Sequence, residues 1–386
     1  MENVSSRCGK SDNAPRLRFP EFRGEWLSTT LGAIGTFTKG APLSKADIAS
    51  EGTPFILYGE LYTTYKEVTT EIKRRTLKTA NDECMSRVGD VIIPTSGETP
   101  DEIATATCIM VSNVILAGDL NIYRNSTIDG RFISYIINHV INGDISRIAQ
   151  GKSVVHIKAS ELAKLRINYP SRQEQNKIID FLMLLNRKIA KQQSLINALK
   201  TYKRGVFSVL LNSFSKYETL LLENCASIKK GEQLNKTDMI KNGKYYVLNG
   251  GVAASGRTDN FNTDKNTISI SEGGNSCGFV LFNTEKFWSG GHCYTLQNLK
   301  QNINNQYLFH YLKFHEKQIM SLRVGSGLPN IQKSELEKFE VLLPSADIQN
   351  KIANIMSNIT AYEDAVKKEL LNLDKLKLAL LQKMFI

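Results

Sequence analysis

An α+β fold written twice is what this 386-residue sequence predicts, with two mixed globular domains alternating with two long helices. Three observations predict it. Residues 151–178 and 325–352 align without a gap at an offset of 174 and share 12 identities in 28 positions, among them Pro170/Pro344, Ser171/Ser345 and the run Gln175–Ile178/Gln349–Ile352. Beyond that stretch, apolar residues recur at spacings of four and three. A second match at an offset of 191, "TKGAPLSKADI" (38–48) against "KKGEQLNKTDM" (229–239), lies upstream of each helix. "FILYG" (55–59) and "YVLNG" (246–250) continue it. The change from 191 to 174 makes the first intervening segment 17 residues longer.

The helices follow from hydrophobic period. Ile178, Leu182, Leu185, Ile189, Ile196, Leu199, Val206 and Leu210 form one stripe, with Gln192 and Lys203 as its polar steps. Shifted by 174, it returns as Ile352, Met356, Ile359, Val366, Leu370, Leu373, Leu380 and Met384, interrupted by Glu363 and Lys377. A sustained heptad stripe is a long helix docking on another helix. Some 40 residues make a rod of roughly 60 Å. Ser171 followed by Glu174 reads as a capping box, whereas Ile348 replaces that glutamate in the second copy. A strand precedes each helix, "LRINYP" and "FEVLLP".

Segments 26–150 and 217–322 carry the domains. Short alternating runs such as "TPFILYGE", "GDVIIPTSG", "GDLNIYR", "KYYVLNGG", "NTISISEGG" and "CGFVLFN" predict strands. "DGRFISYIINHVIN" and "NNQYLFHYLKFHEKQI" each predict one helix. The predicted division is 1–150 (with an N-terminal arm, 1–25), 151–212, 213–322 and 323–386.

The net charge of +11 suggests an anionic partner, nucleic acid first. The excess is concentrated: segment 171–216 holds 9 Lys+Arg against 2 Asp+Glu, whereas 26–150 holds 11 against 14. Gly/Ser-rich loops let a backbone approach a phosphate or a base edge: "TSGETP" (95–100), "QGKS" (150–153), "NGGVAASGR" (249–257), "SEGGNS" (271–276) and "GSGLPN" (325–330). A tight turn is the simpler reading of any one of them. Polar side chains on or near these loops are the DNA-contact candidates: Lys39, Lys45, Arg74, Arg75, Ser96, Arg124 and Lys152 in the first half, and Lys229, Lys230, Lys236, Arg257, Asn275 and Arg323 in the second.

Motifs of chemistry are absent. "QGKS" lacks the upstream glycine of a P-loop, and neither a paired-cysteine zinc pattern nor GxSxG occurs. His292-Cys293 sit next to each other on a predicted strand and so point to opposite faces, a poor metal site even with Cys277. The six cysteines fit buried thiols of a reducing cytosol. No apolar run reaches signal-peptide or membrane-span length, so a cytoplasmic, non-catalytic protein is expected. Two other readings remain open: a coiled-coil scaffold binding only protein, and a self-contained Mg-dependent nuclease using Asp90, Glu98, Asp101 and Glu102.

The doubled layout resembles the specificity (S) subunit of type I restriction–modification systems. The residues carrying it are "PRLRFPEFRGEW" (15–26), "KSELEKFEVLLPS" through "IQNKI" (333–352) with its copy at 159–178, "GSGLPNI" (325–331) and "LLQKMF" (380–385). The resemblance implies two α/β target recognition domains, each reading one half of a bipartite, asymmetric DNA site. It implies helices packed as an antiparallel coiled coil about a pseudo-twofold internal repeat, setting the spacer and docking two methyltransferase (modification) subunits and, through them, restriction subunits. S-adenosylmethionine, ATP and Mg would belong to those partners. The stripe residues Leu182, Leu185, Ile189, Leu199, Met356, Ile359, Val366 and Leu373 are the partner-binding candidates.

Overall fold

A computed structural model describes residues 13–151, 154–214, 216–325, 327 and 329–385. The chain forms two compact units, 1–191 with 370–386, and 192–369. Their boundaries fall inside the two long helices, Arg172–Asn212 and Ala346–Met384, rather than at the domain–helix junctions. The reason is packing: each domain is cored together with the helix segments that touch it.

In the first unit a five-stranded sheet carries Gly35–Lys39, Leu120–Asn125, Asp90–Pro94, Thr107–Ile109 and Val68–Thr69 in that order. A three-stranded sheet holds Arg74–Thr76, Thr53–Leu57 and Ile115–Ala117. The second unit repeats the plan with four strands (Ser227–Lys230, Cys293–Gln297, Thr267–Ser271, Val280–Asn283) and three (Gly256–Thr258, Tyr245–Leu248, Phe287–Ser289). The additional residues of the first unit fall mainly between its counterparts of these strands. One such insertion, after Leu57, holds the helical turn Glu60–Thr63 and the strand Val68–Thr69.

Registers match across the repeat. Leu27 pairs with Tyr169 and Glu218 with Leu343, so the strand before each long helix takes up the first strand of its own domain identically. Asn121 pairs with Lys39, and Tyr294 with Lys230. The expected single helix over 129–142 is instead Gly130–His139 followed by Asn142–Ile148. That over 304–319 breaks at His315, giving Asn305–Phe314 and Glu316–Ser321. The His315 imidazole bonds back to the Tyr311 carbonyl at 2.9 Å, and its backbone (φ −91, ψ 13) leaves the α region.

Gln175 and Gln349, the repeated glutamines, explain why "QNKI" is written twice. Both are buried. Gln175 Oε1 accepts from the backbone N–H of Asp129, the N-cap of the domain helix, at 2.9 Å, and its Nε2 donates to the Pro170 carbonyl at 2.9 Å. Gln349 Oε1 accepts from the N–H of Asn304, the N-cap of Asn305–Phe314, at 2.8 Å, and Nε2 donates to Pro344 at 2.9 Å. Each glutamine therefore fastens a domain to its long helix.

The capping box at Ser171 is half formed. Ser171 Oγ accepts from the Glu174 N–H at 3.4 Å, but the Glu174 carboxylate turns to the N-terminal arm, taking a fork from Arg18 at 2.6 and 2.7 Å. The arm also donates from Leu17 N–H to the Lys383 carbonyl at 2.8 Å, and Trp26 packs edge-on against Phe132 and Phe385. In the second unit Ile348 stands in place of Glu174 and packs against the apolar core.

The heptad stripe is consumed inside the chain. In the first unit Leu185 and Ile189 cluster with Leu373, and Leu182 shares a core with Leu381 and Met384. In the second unit Phe207 and Leu211 share a core with Ile352, Ala353 and Met356. Within each unit the helices run antiparallel. Assigning Leu182, Leu185, Ile189, Met356, Val366 and Leu373 to an external partner is thus corrected: all are buried, while Leu199 and Ile359 are half-buried. Replacing Gln175 with Leu should leave the Asp129 N–H and Pro170 carbonyl unpaired, costing about 2 kcal/mol; a lowered thermal midpoint for the purified chain or its complex is the expected result, with Gln349→Leu behaving alike.

Candidate nucleic-acid interface

The candidate cations divide into those the fold uses and those it leaves at the surface. Arg124 belongs to the fold. Its guanidinium forks Asp90 (2.9 Å) and donates to the Glu83 and Met85 carbonyls at 2.9 and 2.8 Å. Ser96 is buried, with its hydroxyl on Asp119 Oδ2 at 2.8 Å. Arg75 and Arg257 are latches at equivalent positions: Arg75 Nη1 donates to Gly52 O at 2.8 Å, and Arg257 donates to Gly243 O at 2.5 Å and Lys244 O at 2.8 Å. Both glycines sit on the loop preceding the central strand of the three-stranded sheet, so each arginine pins the same loop in its own domain. Those bonds commit Ser96 and Arg124 to the fold, while Arg75 and Arg257 are latched and yet remain exposed. Lys152 lies outside the described residues.

Lys39, Lys45, Lys229, Lys236, Asn275 and Arg323 are exposed. Arg74 is half-buried and salt-bridged to buried Glu60 at 2.9 Å; Lys230 is exposed and salt-bridged to buried Glu272 at 2.6 Å. Sequence reading missed both carboxylates, since nothing local marks a glutamate as the holder of a cation 14 or 42 residues away.

These last residues lie in two concave corners, one in each unit. In the first, Lys45, Tyr58, Gly59, Glu60, Arg74 and Asp119 line a concavity of about 660 Å³. In the second, Lys230, Asn249, Gly250, Glu272, Asn275 and His292 line one of about 530 Å³. The corners are equivalent: Gly59 and Gly250 stand at the 191 offset, and Asp119 and His292 each lie two residues before the residue paired to Lys39 or Lys230. Three of the glycine-rich loops converge on the second corner, through residues 249–251, 272–276 and 329–330. Gly250 adopts φ +77 and a Cβ there would meet the His292 carbonyl at 2.5 Å, so only glycine permits this close approach.

Two of the four proposed magnesium carboxylates are otherwise engaged, while Glu98 and Asp101 are exposed. Asp90 holds Arg124, and Glu102 Oε2 accepts from the N–H groups of Glu98 and Thr99, closing the capping box of a short helix. Among the described residues no group of three or more His, Cys, Asp or Glu side chains is gathered to hold a metal ion. Burial raises the thiols of Cys225 and Cys293, each to about 11, and raises that of Cys277. Such thiols are poorly suited to nucleophilic work. No described helix is long and apolar enough to cross a membrane.

Residues 23–201 and 215–373 match the type I restriction modification DNA specificity domain, so the chain belongs to that family. A Mycoplasma pneumoniae protein named as a type I specificity subunit is 39% identical over 149 residues, covering 38% of this chain and 40% of that protein. The alignment thus spans about two fifths of such a relative's length. The S subunit of a type I restriction–modification system from M. genitalium has the same fold: TM-score 0.70, 20% identity, 97% of this chain and 99% of that one. A second solved chain, from work on complex assembly and conformational transition of the type I system, aligns at TM-score 0.55 and 16% identity over 93% of this chain and 97% of that one.

One charge cluster ties the last helix to the first domain. Glu67 Oε1 accepts from His139 Nε2 and Lys377 Nζ, both at 2.8 Å. Burial pushes the Glu67 carboxyl up, but the His139 bond and the Lys377 charge more than reverse this, holding it at about 2. A carboxyl depressed in the folded state contributes stability above its unfolded pKa of about 4.3 and loses it as pH falls through the folded value. Lys377→Met should therefore move the acid-unfolding midpoint to higher pH within the window from about 4.3 to about 2, as read by tryptophan fluorescence during acid titration.

Proposed function

We propose that this chain is the DNA-sequence-reading subunit of a type I restriction–modification complex, each domain reading one half of a bipartite, asymmetric site. The observation that carries this is the doubled corner: in each unit, glycine and polar side chains surround a concavity at whose rim a buried glutamate holds a cation. A corner of that kind offers fixed donors to base edges, and two copies suit a target with two halves. Membership of the specificity family supports the same reading. The antiparallel helices set the spacer, in this proposal, and dock two methyltransferase subunits and, through them, restriction subunits. S-adenosylmethionine, ATP and Mg are then supplied by those partners, and this chain contributes recognition without catalysis. With the heptad stripe buried, docking falls to the outward faces of the helices, where Leu184, Tyr202, Tyr362 and Leu371 are exposed. The scaffold and nuclease alternatives gain no specific support: the domains carry polar concavities, Asp90 and Glu102 are paired internally, and among the described residues no three candidate metal ligands gather.

Long-read sequencing of base modification tests the proposal in cells carrying the methyltransferase subunit, with this gene present or deleted. One split motif, a few bases on each side of a fixed gap, should vanish on deletion and return on complementation. Identical modified motifs in both strains, with the chain still co-purifying with the methyltransferase, would refute the reading role.

A further inference from the structure

The second corner contains a carboxylate with no evident reason to be buried. Glu272 is 8% exposed, and its Oε2 has no hydrogen-bond partner. Its Oε1 takes Lys230 Nζ at 2.6 Å and Tyr294 Oη at 3.2 Å, and Oε2 lies 3.6 Å from His292 Nδ1. Its backbone is fixed at both ends: the N–H donates to His292 O at 2.9 Å, and the carbonyl accepts from Ile331 N–H at 2.8 Å. Taking a carboxylate out of water and leaving an oxygen unsatisfied is costly. The arrangement orients an ammonium group whose side chain is 52% exposed at the mouth of a concavity.

Chemistry selects what that ammonium group can meet. Lysine has three N–H donors, of which Glu272 takes one, and two remain. Guanine offers two adjacent acceptors, O6 and N7, on its major-groove edge, whereas adenine and cytosine present an amino group there. A phosphate is less well matched, because the same carboxylate lies beside the cation and repels it. Neighbouring Gly250, Gly251, Gly273 and Gly274 leave room for a base edge to approach the backbone.

We propose that Lys230 reads a guanine of the half-site recognised by the second domain, and that Glu272 is its positioning residue. The inference rests on the DNA-reading function above and assigns one base of its target. The test uses the complex of this chain with its methyltransferase subunits. Its affinity is measured for duplexes carrying the modified motif, with 7-deazaguanine replacing each guanine in turn so that only the N7 acceptor is lost. One replacement should weaken binding roughly 5- to 150-fold. Lys230→Gln should weaken the natural duplex similarly, become indifferent to that one replacement and keep its sensitivity at the other half-site. Glu272→Gln should reduce the penalty at the same guanine alone. A penalty retained by Lys230→Gln at every guanine overturns the proposal. So does a uniform loss of affinity with a shallower salt dependence, the behaviour of a phosphate contact, or a motif without guanine. If Lys230→Gln does not assemble, Lys230→Met, which has no N–H donor, is measured instead, and an unaltered penalty at every guanine again overturns it. If the unaltered complex does not distinguish its motif from a scrambled duplex, it is the reading function that fails, not this assignment.

Discussion

The buried glutamine at the root of each long helix is the constraint on which the rest depends. A helix N-terminus leaves backbone N–H groups unpaired, and so does the loop that feeds it. One amide side chain with an acceptor and a donor settles both problems. Gln175 and Gln349 each accept from the N-cap of a domain helix and donate to the proline carbonyl that ends the preceding strand. No apolar residue of the same size does this, and a glutamate lacks the donor. The domain, the strand and the long helix are therefore held at one point in each unit, and a reading surface built on the domain inherits that orientation.

Much of this architecture was legible in the sequence because it is repeated. The two offsets, 191 and 174, mark what duplicated, and the strand leading into each long helix follows them residue for residue: Leu27 with Tyr169, and Glu218 with Leu343. Periodicity identified the long helices, and the Ser171 start signal placed the first within a residue. The helix breaks near Val140 and His315 were not legible. Both stretches are periodic throughout, and a break made by local backbone geometry leaves no mark in hydrophobic pattern. The fate of the stripe was half legible: its period predicts a helix partner, but does not exclude a separate chain as that partner.

The site was less legible than the fold for a physical reason. A cation on a loop looks the same in sequence whether it faces solvent or a carbonyl. Arg75 and Arg257 hold the carbonyls of equivalent glycines, Gly52 and Gly243, yet their sequence context only marks them as basic. Arg124 reads as a free guanidinium until Asp90 is folded beneath it. In each case the partner is brought by strand pairing across 14 to 34 residues, and long-range pairing is what local pattern cannot encode.

The two corners also show why one duplicated frame can serve different targets. The backbone that makes each corner is shared, since its strands and their registers coincide. The side chains placed on it are not: Tyr58 stands where Asn249 does, and Asp119 where His292 does. The cation comes from a different strand in each. Arg74 lies on the edge strand of the three-stranded sheet and is held by Glu60 from the inserted helical turn, whereas Lys230 lies on the edge strand of the four-stranded sheet and is held by Glu272. Burying a carboxylate to orient a cation is costly wherever it is done. A frame that already pairs its backbone and packs its core through the long helices tolerates that cost, and leaves the corner side chains at liberty to change without disturbing the fold that presents them.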